Sequence, residues 1–229
     1  MSQSSPQSSQ PLLKFIEIGN PQADKCVIWL HGLGANGHDF EPIIPQLNLP
    51  EDHNIRFIFP HAPELPVTVN AGMVMPAWYD VYSTSFTNHE DEDGIRKSAV
   101  RITQLIEHET KRGINANKIV LAGFSQGGAI ALHTALRHPE PLAGIMALST
   151  YLPLVKQFDD ERHEANQNIP IIMCHGSHDP VVPFSLGDDS HYFLEQAGYT
   201  IEWHNYPMQH SVCPDEINNI SQWVQKILL

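Results

Sequence analysis

Short apolar runs alternate with segments of helical period along most of the chain, and this alternation narrows the fold more than any other feature. Cys26–Leu30, Ile55–Phe59, Lys118–Ala122, Gly144–Leu148 and Ile169–Cys174 read as strands, and Thr200–Tyr206 alternates as a strand does. Between them, Ile95, Ala99, Ile102, Leu105 and Ile106 recur at helical spacing. Gln126–Arg137 reads as a helix stopped at His138 by Pro139, and 188–197 as a helix ended by Gly198. A last helix carries Ile217, Ile220, Trp223, Val224, Ile227 and Leu228 on one face. Strands that alternate with helices predict an α/β fold with a mostly parallel sheet covered by helices on both faces. Such sheets bind ligands beyond the carboxyl ends of their strands.

Bulk properties remove several function classes. A formal net charge of −13 repels phosphate backbones, so no nucleic-acid partner is expected, and docking on an anionic membrane face is disfavoured. No window approaches the ~20 apolar residues of a transmembrane helix. Residues 1–11 are polar, without the charged and apolar regions of a secretory signal, and read as a flexible tail. Residues 12–229 then form one domain, with no repeat or interior linker to divide them. Cys26, Cys174 and Cys213 form neither a CxxC pair nor an even disulfide framework. A cytoplasmic protein, monomer or homodimer, is expected.

Gly123-Phe124-Ser125-Gln126-Gly127 carries the chemistry. It fits G-x-S-x-G, and it sits where that pattern has meaning, between a β-run and a helix. This is the strand–elbow–helix setting that the motif requires, in which the serine is expected to take a strained backbone conformation and the glycines to avoid collisions in the turn. A serine hydroxyl needs a base, and on this fold the order is Ser, acid, His. Asp179 follows the strand Ile169–Cys174 and is the candidate acid; Asp188 and Asp189 compete, but read as the start of a helix. His191, His204 and His210 follow Asp179. His191 falls in a helix and His204 in a strand, whereas His210 lies in a loop before the last helix, from which it can reach a serine. Leu33, in the turn His31-Gly-Leu-Gly34, and Gln126 are the candidate backbone donors to an oxyanion.

Other constellations were weighed against these. His175, His178 and Asp179 could suggest a metal site, but no second cluster supplies further ligands. His133 and His138 are not at zincin spacing and are expected on the surface. No dinucleotide or Walker loop occurs, so no cofactor is expected. The acidic run 90–93 reads as a solvated helix start.

These motifs resemble the bacterial carboxylesterase/phospholipase family that includes the acyl-protein thioesterases. The resemblance rests on His31-Gly-Leu-Gly34 with Gly37-His-Asp39, Pro60-His-Ala-Pro63, Ala77-Trp-Tyr-Asp80, Gly123-Phe-Ser-Gln-Gly-Gly-Ala129, Leu148-Ser149, His175-Gly176 with Asp179-Pro-Val-Val-Pro183, and His210. It runs from about residue 12 to the end. It implies a Ser125–Asp179–His210 triad, oxyanion donors at Leu33 and Gln126, and hydrolysis of an acyl ester or thioester, with acylated proteins or lysophospholipids as candidate substrates. It also implies an acyl groove near Trp78, which loop 60–76 could line with Leu65, Val67, Val69, Met73, Val74 and Met75, Leu65 and Met73 first among them. Here Met75-Pro-Ala-Trp78 stands where members often carry Arg before Trp, which leaves chain-length preference open. Residues 150–168 would form a small cap. A lactonase or amidase on the same fold, or a binding module that kept the fold, are the rivals; a dienelactone-type enzyme would carry Cys in place of Ser125.

Overall fold

The computed structural model describes residues 11–83 and 90–229; most of the expected polar tail lies outside the described residues. Nine strands are described: β1 (Phe15–Ile18), β2 (Lys25–Leu30), β3 (Ile55–Pro60), β4 (Glu64–Val67), β5 (Met73–Pro76), β6 (Ile119–Phe124), β7 (Gly144–Leu148), β8 (Ile171–Gly176) and β9 (Ile201–Tyr206). The α-helices are α1 (Glu92–Lys111), α2 (Gln126–Arg137), α3 (Phe158–Glu161), α4 (Phe184–Gln196) and α5 (Pro214–Leu228). Seven strands form one sheet in the order β1-β3-β2-β6-β7-β8-β9. All neighbours are parallel except β1 against β3.

The central strands β2, β3, β6, β7 and β8 are buried on both faces, and side-chain alternation divides the core in two. Cys26, Ile28 and Leu30 of β2, with Ile119 and Leu121 of β6, face the layer that holds Ile102, Ile130, Phe158 and Leu194. Val27, Trp29, Val120 and Ala122 face the other side, against Ile43, Leu47 and the Ile220–Trp223–Val224 stripe of α5.

The strand order places the functional residues. From β2 the chain steps to β3 on one side, then crosses to β6 on the other. The carboxyl ends of β2 and β6 therefore flank the point where the winding reverses, where open α/β sheets bind ligands. Leu33 follows β2 and Ser125 follows β6.

Several expectations are corrected. β1 was not foreseen, and segment 60–76 is not a bare loop, since β4 and β5 pair as an antiparallel hairpin. Helix α4 begins at Phe184, directly after Pro183, so Asp188 and Asp189 lie inside it. His133 and His138 are buried, at 2% and 6% exposure, because α2 is covered on every side. The acidic run does more than meet solvent. Asp91 caps α1 by accepting from Gly94 N, and the half-buried Glu90 accepts from Leu154 N. Segment 150–168 contributes Tyr151 to the cavity over Ser125, while its remainder is anchored in the core by Phe158 against Phe193 and Tyr199 rather than standing over that end as a separate cap.

Candidate active site

Ser125 joins β6 to α2 with φ 54° and ψ −123°, a conformation that side chains resist at a cost of about 1–3 kcal/mol. Its neighbours hold it there. Ser125 N donates to Leu148 O at 2.8 Å, and Thr150 Oγ1 donates to Ser125 O at 2.7 Å. The flanking glycines are required by close approach rather than by φ. A Cβ on Gly123 would lie 2.3 Å from the carbonyl of Gly127. One on Gly127 would lie 2.5 Å from Leu30 O and 2.6 Å from His31 O. The serine turn is thus packed directly on the turn after β2.

The acid and the base meet beyond β8 and β9. Asp179 Oδ2 accepts from His210 Nδ1 at 2.7 Å, while Oδ1 accepts from Val181 N at 2.8 Å and Val182 N at 2.9 Å. With Nδ1–H committed to the carboxylate, Nε2 of His210 carries the lone pair that a general base needs. The Asp179 side chain is fully buried, and His210 is mostly so, its ring 4.6 Å from that of Phe124 beside Ser125. The two other histidines that follow Asp179 in the chain are occupied elsewhere. His191 stacks on Trp203 at 4.9 Å, and His204 pairs with Glu202 at 3.1 Å. His178 is exposed. His175 is completely buried beneath the acid loop and donates from Nε2 to Val182 O at 2.9 Å; burial lowers its pKa, so it stays neutral. Among the described residues, no three His, Cys, Asp or Glu side chains converge as metal ligands would.

A cavity of about 300 Å³ opens over Ser125, with Leu33 and Gln126 in its lining. Gln126 is the first residue of α2, so its backbone N–H has no acceptor within the helix. The helix N-terminus also favours negative charge at that point. The Gln126 side chain turns instead to structure: Oε1 accepts from Trp78 N at 2.8 Å and Nε2 donates to Tyr79 O at 2.7 Å.

The expected groove residues fall differently. Leu65 and Met73 belong to the β4–β5 hairpin and do not line the cavity; Met73 is 65% exposed. Trp78 is 1% exposed and lies behind the site. The wall is made instead by Val69, Tyr79, Val81, Tyr151, Val181 and Val182. Tyr79 and Tyr151 share a 3.0 Å hydroxyl–hydroxyl hydrogen bond deep in it. Of these, Val69 belongs to the segment expected to line a groove; the sequence reading missed the others, although Tyr79, Val181 and Val182 lie inside the quoted motifs. Membership of a motif carries no sign of which way a side chain faces.

A strained serine elbow and an Asp–His pair at the carboxyl end of a mostly parallel sheet define an α/β-hydrolase. Residues 13–228 match the Phospholipase/Carboxylesterase family model. The chain is 38% identical to acyl-protein thioesterase 1 of Cryptococcus neoformans, in an alignment covering 94% of this chain and 98% of the relative. It is 40% identical to acyl-protein thioesterase 1 of Neurospora crassa, covering 88% and 86%. Among solved structures, SOBER1 of Arabidopsis thaliana superposes with a TM-score of 0.84 at 34% identity, covering 90% of this chain and 99% of that one. The chain belongs to the phospholipase/carboxylesterase family and is a hydrolase of the esterase/thioesterase type. The narrower bacterial grouping has no support here, since these relatives are fungal and plant.

Proposed function

We propose that this hydrolase cleaves carboxylic esters and thioesters through an acyl-enzyme on Ser125. His210 Nε2 takes the proton of Ser125 Oγ as the oxygen attacks the acyl carbon. The N–H groups of Leu33 and Gln126 stabilise the oxyanion, each worth about 10²–10³ in rate. His210 then protonates the leaving alcohol or thiol, activates water in the second half-reaction, and regenerates Ser125 with release of the acid. Asp179 keeps Nδ1 protonated and stabilises the imidazolium.

The observation that carries this reading is the 2.7 Å His210–Asp179 hydrogen bond set beside the strained Ser125 at the reversal point of the sheet. A lining that is mainly apolar, with valines at the mouth, suits an acyl group. Two fungal relatives are named for acyl-protein thioesterase activity, which supports acylated proteins as the substrate class, with lysophospholipids second. No helix among the described residues is long and apolar enough to cross a membrane. The three free cysteines fit the reducing cytoplasm.

The test is a panel of p-nitrophenyl esters, acyl thioesters, lactones and anilides with wild type and Ser125→Ala. Ester and thioester turnover that vanishes in the variant is the expected result. Turnover confined to lactones or amides would replace the substrate class, and a protein inert to the whole panel would favour a binding role.

A further inference from the structure

The two oxyanion donors come from elements distant in sequence, the turn after β2 and the start of α2. Their amides must converge on one oxygen with hydrogen bonds of about 2.7–3.1 Å, so their spacing has to be held closely. Trp78 connects the two elements. Its indole Nε1–H donates to His31 O at 2.8 Å, on the turn that carries Leu33. Its backbone N–H donates to Gln126 Oε1 at 2.8 Å. Its carbonyl accepts from Ser98 Oγ on α1. Every polar atom of Trp78 is therefore committed, each to a different element.

The turn after β2 is fixed in the same way. His31 Nε2 accepts from Ala62 N at 3.1 Å, so Nδ1 carries the proton and donates to Gly32 O at 2.7 Å. Gly34 N donates to Pro76 O at 2.8 Å. The His31 and Trp78 rings lie 5.2 Å apart, and His31, Trp78 and Gln126 are 2%, 1% and 4% exposed. Buried and internally satisfied, such a network is rigid. Trp78 does not line the cavity, so no substrate contact accounts for its position.

We propose that Trp78 and the Gln126 carboxamide are positioning residues that set the spacing between the Leu33 and Gln126 amides, and so tune the oxyanion hole without touching substrate. This rests on the oxyanion assignment made above. Because the network acts only where charge develops, loosening it should weaken transition-state binding and spare ground-state binding.

The experiment uses Trp78→Phe, which keeps an aromatic ring and loses the Nε1–H, and Gln126→Met, which keeps side-chain length and the backbone N–H. For each, kcat and KM on p-nitrophenyl butyrate are measured with the Ki of a trifluoromethyl ketone, which forms a tetrahedral adduct on the serine. Circular dichroism and Tm verify folding. A loss of kcat of about 10- to 100-fold is expected, with KM within about twofold and Ki raised by the same factor as kcat/KM falls. The double variant should be little worse than the worse single one, since both break one network. Should one variant fail to fold, the other decides, because they perturb opposite ends of the bridge. Folded variants with unchanged kcat and Ki would overturn the proposal, as would a change confined to KM. The nucleophile assignment is tested separately: it fails if folded Ser125→Ala retains turnover.

Discussion

Replacing Asp179 by Asn isolates the role of one oxygen. Asp179 divides its acceptors, with Oδ1 serving the amides of Val181 and Val182 and Oδ2 serving His210 Nδ1. An Asn here has one orientation that avoids two donor–donor clashes: its carbonyl must take the place of Oδ1, which points the NH₂ at His210. His210 must then accept at Nδ1, and its proton moves to Nε2, where it can no longer receive the proton of Ser125. The same exchange in a serine protease costs about 10⁴ in kcat. A loss of about 10³–10⁴ is expected here, which is about 4–5.5 kcal/mol at ~1.36 kcal/mol per decade. The fold should tolerate the change, since both amides keep their acceptor. Asp179→Ala should instead lose stability, because it leaves the buried Val182 amide unpaired, at roughly 1–3 kcal/mol, and the half-buried Val181 amide to find water. The assay is kcat/KM on p-nitrophenyl butyrate at pH 7, with chemical denaturation of wild type, Asn and Ala variants in parallel. An Asn variant within tenfold of wild type would refute the tautomer argument.

Three further outcomes follow from other parts of the molecule. Gly127→Ala places a Cβ 2.5 Å from the backbone carbonyl of Leu30, which cannot yield as a side chain could; a drop in stability of about 3 kcal/mol or more with loss of activity is expected by urea denaturation. Glu109→Ala removes the 2.5 Å partner of the Arg56 guanidinium, which is 1% exposed, and leaves it Glu17 at 3.6 Å and the carbonyl of Pro21, so a loss below the ~3–5 kcal/mol of a wholly unpaired buried charge is expected by the same measurement. Glu216 is fully buried, and burial pushes its pKa up to about 8 from the ordinary 4.5, outweighing the opposing backbone contact from Cys213. Between those values the folded protein holds a proton that the unfolded chain releases, so this group removes stability as pH rises, by up to ~1.4 kcal/mol per pH unit. Glu216→Gln should therefore raise Tm over wild type more at pH 8.5 than at pH 5; an equal gain at both would refute the assignment.

The alternation of strand-like and helical segments made the parallel sheet legible, because strands buried on both faces are apolar without interruption. The elbow at Ser125 and the pairing of Asp179 with His210 were legible because each residue follows a strand and the order of types is fixed by the fold. What stayed hidden depends on tertiary packing. β1 is too short to show a period, and β4 and β5 carry prolines that read as loop. The burial of His133 had a signal that was overlooked: Gly-Gly-Ala-Ile-Ala-Leu leaves α2 without a polar face, and a helix apolar all round is a buried one. Trp78 was legible as important and misread in role. An aromatic residue near a G-x-S-x-G motif suits a groove wall, and only its hydrogen bonds to His31 and Gln126 place it behind the turn that follows β2. The groove itself could not be read from the hairpin sequence, since Leu65 and Met73 are as apolar as Val69, which does line it.

The most direct measurement of the central claim is intact-mass and peptide mapping after reaction with a fluorophosphonate, with ester hydrolysis followed in the same samples. A single adduct on Ser125, forming in step with loss of turnover and absent from Ser125→Ala, is the expected result. An adduct on another residue, or hydrolysis that survives in folded Ser125→Ala, would contradict it.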